Sequence, residues 1–202
     1  GAVFGRAGVV LVALAAIFAG WVAPHSPVEQ FRDAVKAPPM WDEGGSSRFI
    51  LGTDSLGRDM LSRLIHGARV SLFIGLTVMS VSFVIGVLLG LACAANQQSK
   101  LGQLVDVVVS RVMDLIMAVP SLVLAILVVA VLGPSLANTI VAITIVYLPR
   151  YVRLLRSTAL VELNKEYVIA ARVAGVGPWR LMFATVLPNC LAPLIVQAAL
   201  GV

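Results

Sequence analysis

Asp106, Arg111 and Asp114 stand within three helical turns of one another in a chain where only 12% of residues are charged. Arg111 and Asp114 are spaced i, i+3 and can pair, and Ser110 lies one turn from both acids. A charge facing lipid at the centre of a bilayer costs on the order of 3 kcal/mol, so these side chains must face protein, water or headgroups. Two chemistries fit: a structural pair that holds helices together, or a proton or ion relay. The relay lacks a histidine or second acid deeper in any apolar stretch, which favours the structural pair.

Other reactive side chains form no site. His25 and His66 have no partners at metal-ligand spacing and read as loop or interface histidines, so no metal is expected. Cys93 and Cys190 show neither ligand spacing nor a disulfide framework and read as buried, inert thiols. No Ser-His-Asp pattern is visible. A phosphate-binding loop needs Gly-Lys-Ser/Thr, yet Lys36, Lys100 and Lys165 all follow residues other than glycine. The chain is therefore expected to be non-catalytic, with no cofactor of its own.

A different pattern runs through EYVIAARVAGVGPWRLMFATVLPN, residues 166–189. Val161 to Ala174 are good helix formers, Gly175 reads as a left-handed stop, and Gly177-Pro178 restarts a helix with proline at its first position. Ala170 and Ala174 lie one turn apart and Ala171 is adjacent, so the helix presents a smooth face to which another backbone could come close. That face either packs on its own bundle or docks a partner.

The elements that position these residues follow from hydropathy. With 59% hydrophobic residues and a mean hydropathy of +0.98, a soluble domain is excluded. Charge-free runs at 7–24, 70–99, 115–149 and 181–202 reach or exceed the roughly 18 to 20 residues that cross a bilayer. The third, about 50 Å as one helix, is too long for a single span and breaks at Gly133-Pro134-Ser135. Helices are predicted near 5–23, 70–95, 103–132 and 136–157, with a fifth after Pro178 and a bend at Pro120. The first run lacks a compact basic start and a small-x-small cleavage signal, so it reads as a span and not a signal peptide. The chain opens without Met and stops about one span into the fifth helix, so a longer protein is expected.

Between His25 and Arg69 six basic residues balance six acidic ones. Between Arg150 and Arg180 six basic residues face only Glu162 and Glu166, which makes the second loop cytoplasmic by the positive-inside rule. Counting back puts the N-terminus inside and the 25–69 loop outside. The pI near 9.8 is thus an orientation signal, and nucleic acid is not an expected partner. The organisation expected is a first span over 1–24, a periplasmic loop over 25–69, and a core over 70–202 with its cytoplasmic loop near 158–180.

The outer loop ends in LGTDSLGRDMLSRLIHGARVSL, residues 51–72. Thr53 or Asp54 can cap a helix whose Leu56, Met60, Leu61, Leu64 and Ile65 recur at near-helical spacing, which suits a helix lying at the membrane interface. Asp59 and Arg63 can pair at i, i+4.

Ala170-Ala171, Gly175 and Leu187-Pro188 resemble the cytoplasmic EAA loop of inner-membrane permease subunits of ATP-binding cassette importers. Gly52-Thr53-Asp54, Gly57-Arg58-Asp59 and Gly67-Ala68-Arg69 resemble the peptide and nickel branch of that family. Glu29-Gln30-Phe31-Arg32-Asp33 and Ala37-Pro38-Pro39 are similar to its dipeptide permeases. The resemblance spans nearly the whole chain and implies an all-α, polytopic helical bundle of the type I importer fold, with about five spans here and six in full. It implies a bacterial inner-membrane location and a peptide cargo, with nickel, haem, glutathione or oligopeptides as alternatives. The implied partners are a second permease subunit, two ATPase subunits that hold ATP and Mg, and a periplasmic substrate-binding protein. It assigns coupling to Glu166, Ile169, Ala170, Ala171, Ala174 and Gly175, although Ile169 stands where the motif has glutamate and Glu166 is the nearest acidic substitute. An ATPase-independent secondary transporter or channel is the reading from outside this family.

Overall fold

The computed structural model describes residues 8, 12–95, 97 and 99–201. Much of the first predicted span lies outside the described residues; residues 12–17 are helical, as is α1, Ala19–Val22. Five helices follow: α2, Met60–Ala94; α3, Lys100–Ala118; α4, Ser121–Leu132; α5, Leu136–Glu162; and α6, Glu166–Val173. The last, α7, runs over Pro178–Ala199. The chain divides into two compact units, Gly1–Ile74 and Gly75–Val202.

In the first unit the outer loop is held by turns around a small aromatic cluster. The rings of His25, Phe31 and Phe49 lie 5.0–5.4 Å apart, and the Arg48 guanidinium sits 4.6 Å over Phe31 and 5.1 Å over Phe49. Gly52 and Gly57 both have φ +74. A Cβ would lie 2.3 Å from the Ala37 carbonyl oxygen at Gly52 and 2.2 Å from that of Phe31 at Gly57, so only glycine fits either turn.

The separate interfacial helix expected before the second span is not found: α2 is one continuous 35-residue helix starting at Met60. Arg63 and Arg69 interrupt the apolar run, but no proline interrupts the hydrogen-bond ladder, and hydropathy alone placed the start too late. Its cap also differs from expectation. Asp59, not Thr53 or Asp54, accepts the Ser62 backbone N–H at 3.1 Å, three residues into the helix.

The second unit begins with the rest of α2. Pro120 breaks the predicted 103–132 helix outright, and α3 and α4 meet at a 96° bend. Gly133, at φ +88, ends α4. The Ser135 side chain caps α5 by accepting from the Asn138 backbone N–H at 3.1 Å, and the Asn138 amide donates to the Leu132 and Gly133 carbonyls. The predicted 133–135 break is thus built as a double cap. α5 continues to Glu162, five residues past its predicted end.

Among the described residues, α2 and α7 are each long and apolar enough to cross a membrane, and the bent pair α3–α4 passes the same test together. α5 is long enough but is diluted by Arg150, Arg153 and Arg156. α4 buries none of its residues, and Leu122, Ile126 and Val131 point outward, as expected of a surface that faces lipid or another membrane subunit.

α2 and α5 approach closely at Gly86 and Gly90. A Cβ on Gly86 would lie 2.4 Å from the Tyr151 Cβ, and one on Gly90 would lie 2.9 Å from the Leu155 Cβ. With buried Ser82 and Ala94 these glycines form a seam of small residues at four-residue spacing, which lets helices pack backbone to backbone. Gly86→Ala is expected to destabilise the protein by roughly 1–2 kcal/mol through overpacking. Gly67→Ala, in the same helix where an added Cβ meets nothing within 4 Å, is expected to be neutral or stabilising by up to about 1 kcal/mol. Thermal unfolding of the two variants in mild detergent checks both signs.

Candidate functional site

α6 is presented on a short, closed scaffold. The Val176 N–H donates to the Ala171 carbonyl and the Gly175 N–H to that of Arg172, both at 3.1 Å, with Gly175 at φ +81. This is the paired-bond stop expected of a glycine-terminated helix. Gly177 then precedes Pro178 at the first position of α7. The helix itself is shorter than the predicted Val161–Ala174 run, because residues 163–165 turn between α5 and α6.

What fixes α6 is a polar cluster invisible in the sequence pattern. Glu162, 6% exposed, takes Lys165 Nζ at 2.7 Å and the Tyr167 hydroxyl, while the Asn189 amide on α7 donates to that hydroxyl at 3.0 Å. The Glu162 carboxylate accepting this bond, with lesser help from burial, pushes the Tyr167 phenol up to about 12. Tyr167 therefore stays a protonated donor, and α5, α6 and α7 are tied together. Val168 is fully buried beneath.

The opposite face of α6 has no cover. Ala170, Ala174, Gly175 and Glu166 are exposed, and Ala171 is half-buried. Ile169 and Val173, one turn apart, are 49% and 85% exposed. Nothing lies within 4 Å of where a Gly175 Cβ would be. Beside this face is a cavity of about 820 Å³, lined by Leu160, Leu163, Arg172 and Met182 together with the stacked rings of Trp179 and Phe183.

The three charges singled out in the sequence all lie on α3, and its two acids are paired across to another helix. Arg156 on α5 grips Asp106 with two N–H groups of one guanidinium edge, Nε to Oδ1 at 2.5 Å and Nη2 to Oδ2 at 2.7 Å. The Gln97 amide and the Ser110 hydroxyl complete the acid's shell at 3.3 and 3.4 Å. Arg153 takes Asp114 at 2.5 Å, leaving Arg111 at 4.0 Å and 80% exposed as a loose neighbour. The predicted Arg111–Asp114 pair is therefore secondary. Sequence spacing sees only partners on the same helix, and both strong partners come from α5. Cys93 and Cys190 are buried free thiols.

In the outer loop, the signature residues bond to one another. The Thr53 hydroxyl accepts from the Ala37 N–H at 2.9 Å and donates to the Ala34 carbonyl. Asp54 Oδ1 accepts from the Leu56 and Arg58 N–H groups at 2.8 and 3.0 Å, and Oδ2 takes Arg58 Nε at 2.8 Å. Arg63 also pairs with Asp54 and not with Asp59, correcting the i, i+4 expectation. Asp59 instead binds the Ser62 hydroxyl at 2.5 Å and faces His25 Nδ1 at 3.4 Å. His66 Nδ1 lies 3.0 Å from the Ser62 carbonyl.

The Arg58 backbone N–H is the largest influence that holds the Asp54 carboxyl at about 2, below its ordinary 3.8. Because the folded value is depressed, the carboxylate's contribution is fully present above pH 3.8 and is lost as pH falls through about 2. Asp54 is expected to remain ionised at pH 3; a side-chain carboxyl titration with its midpoint near 3.8 would contradict this.

Residues 86–202, more than half of the chain, match the family of binding-protein-dependent transport system inner membrane components. The chain belongs to this permease family. Residues 1–39 also match the N-terminal transmembrane domain of oligopeptide transport permease C. Among curated relatives, the di/tripeptide transport system permease protein DppC of Pseudomonas aeruginosa is 56% identical over 201 residues, covering 100% of this chain and 65% of the relative. The dipeptide transport system permease proteins DppC of Escherichia coli K12 and Haemophilus influenzae are 55% and 46% identical, covering 65% and 67% of their lengths. This permease chain thus spans about two thirds of these relatives, and its helical, polytopic architecture fits a membrane component of that family.

Proposed function

We propose that this chain is the greater part of a permease subunit of an ATP-driven importer of dipeptides and related short peptides. The observation that carries the reading is 56% identity, across the whole chain, to a relative named as a di/tripeptide transport permease. The exposed, rigidly tethered α6 supports it mechanically. Glu166, Ile169, Ala170, Ala171, Ala174 and Gly175 form a smooth cytoplasmic surface on which an ATPase subunit docks, and the Glu162–Tyr167–Asn189 cluster passes its motion to α5 and α7.

The subunit itself is non-catalytic; ATP and Mg reside on two partner ATPases. A second, similar permease subunit completes the path, and a periplasmic binding protein delivers the peptide. The protein sits in the bacterial inner membrane with its N-terminus in the cytoplasm. Mild purification of the full-length protein is expected to bring an ATPase with it, and the reconstituted assembly is expected to take up dipeptides only when ATP is supplied. A stable, transport-active protein with no ATPase partner would overturn the reading.

A further inference from the structure

A second cavity, of about 720 Å³, opens between α3, α5 and α7, and polar residues are most of those around it: Ser110 and Asp114 from α3, Arg150, Arg153 and Ser157 from α5 beside Leu154, and Gln197 from α7. At 1.5 Å per residue, Arg150 lies about 18 Å along α5 from Glu162, and Asp114 about 21 Å along α3 from Lys100. Both residues therefore stand within their helices, away from the ends at Glu162 and Lys100.

The charges in and behind this cavity are not balanced. Arg153 is paired to Asp114 and Arg156 to Asp106. Arg150 has no acidic partner among the described residues, and its guanidinium lies 5.1 Å over the Tyr147 ring. A ring neighbour leaves the positive charge without a carboxylate, and a guanidinium is the group that can grip one with two parallel hydrogen bonds. The cavity volume falls within the range of small-molecule sites.

We propose that this cavity is a station on the translocation path that receives the C-terminal carboxylate of a small peptide, with Arg150 as the residue that binds it. The proposal rests on the peptide-importer reading and adds a specificity element within the permease, separate from the binding protein. Arg153 and Arg156 do not compete for the carboxylate, since each already holds an aspartate. The cargo is then gripped by one cation, which allows release.

The test uses the complete importer with full-length permease in proteoliposomes. The probes are alanyl-alanine and its C-terminal amide, each at saturating loaded binding protein. The quantity read is the ratio of acid to amide uptake; the binding protein's own preference cancels when variant and wild-type ratios are compared. Arg150→Gln is expected to lower the ratio about tenfold or more, the loss of a charged hydrogen-bonding partner. Arg150→Lys, which keeps the charge without the fork, is expected to lower it less. Arg111→Gln, an equal charge change outside the cavity lining, is expected to leave it unaltered. An unchanged ratio in Arg150→Gln overturns the proposal, as does an equal fall in Arg111→Gln. So does loss of co-purifying subunits from Arg150→Gln, which would make Arg150 an assembly contact. No ATP-dependent uptake of either probe by the wild type would overturn the importer reading itself.

Discussion

Replacing Gly175 with tryptophan is expected to leave the protein in the membrane and to cut ATP-driven peptide uptake at least about tenfold, with the ATPase uncoupled or lost from the complex. Two effects act at this residue. Gly175 sits at φ +81, a conformation that costs an ordinary L-residue on the order of 1–2 kcal/mol, so any side chain strains the stop that ends α6. Yet an added Cβ meets nothing within 4 Å in this chain, so bulk here is harmless until a partner closes on it. Gly175→Asn separates the two effects, because asparagine tolerates the left-handed conformation and projects little. It is expected to retain most uptake while Gly175→Trp loses it. Wild-type uptake by the tryptophan variant would remove α6 as a docking surface, and equal losses in both variants would assign the role of Gly175 to backbone geometry alone.

The parts of this site legible in the sequence are those that depend on local backbone chemistry. Gly175 as a stop, Pro178 as a restart and the break at 133–135 follow from φ preference and a missing N–H, and the structure has all three. The small-residue face of α6 was legible for the same reason. The partners of the charged residues were not, because i, i+3 and i, i+4 rules cannot look across to another helix. Asp106 and Asp114 therefore found Arg156 and Arg153, some 40 to 50 positions away. The Glu162–Tyr167–Asn189 tether is hidden in the same way. One missed feature did leave a signal: Gly86 and Gly90, four residues apart in an apolar run, mark a close helix crossing. The start of α2 was misplaced for a different reason. Hydropathy reports which residues accept lipid, whereas helix length is set by caps and breakers, and none intervenes between Asp59 and Ala94.

Removing the guanidinium of Arg156 is expected to be among the most damaging single changes in the second unit. Asp106 is 11% exposed at its side chain, and its strongest partner is the bidentate Arg156 grip. Arg156→Ala leaves that carboxylate with only the longer bonds from Gln97 and Ser110, and stranding a charge in this way costs on the order of 3 kcal/mol. The paired replacement Asp106→Asn with Arg156→Gln removes both charges, so it is expected to cost clearly less than the sum of the single changes, with a coupling of about 1–3 kcal/mol. The Asp114–Arg153 pair is an internal control: both side chains are about half exposed, and Arg153→Ala is expected to cost about 1 kcal/mol or less. Thermal unfolding in one detergent ranks the variants. If Arg156→Ala proves as mild as Arg153→Ala, Asp106 is reached by water, and the clamp between α3 and α5 must be sought in their apolar contacts.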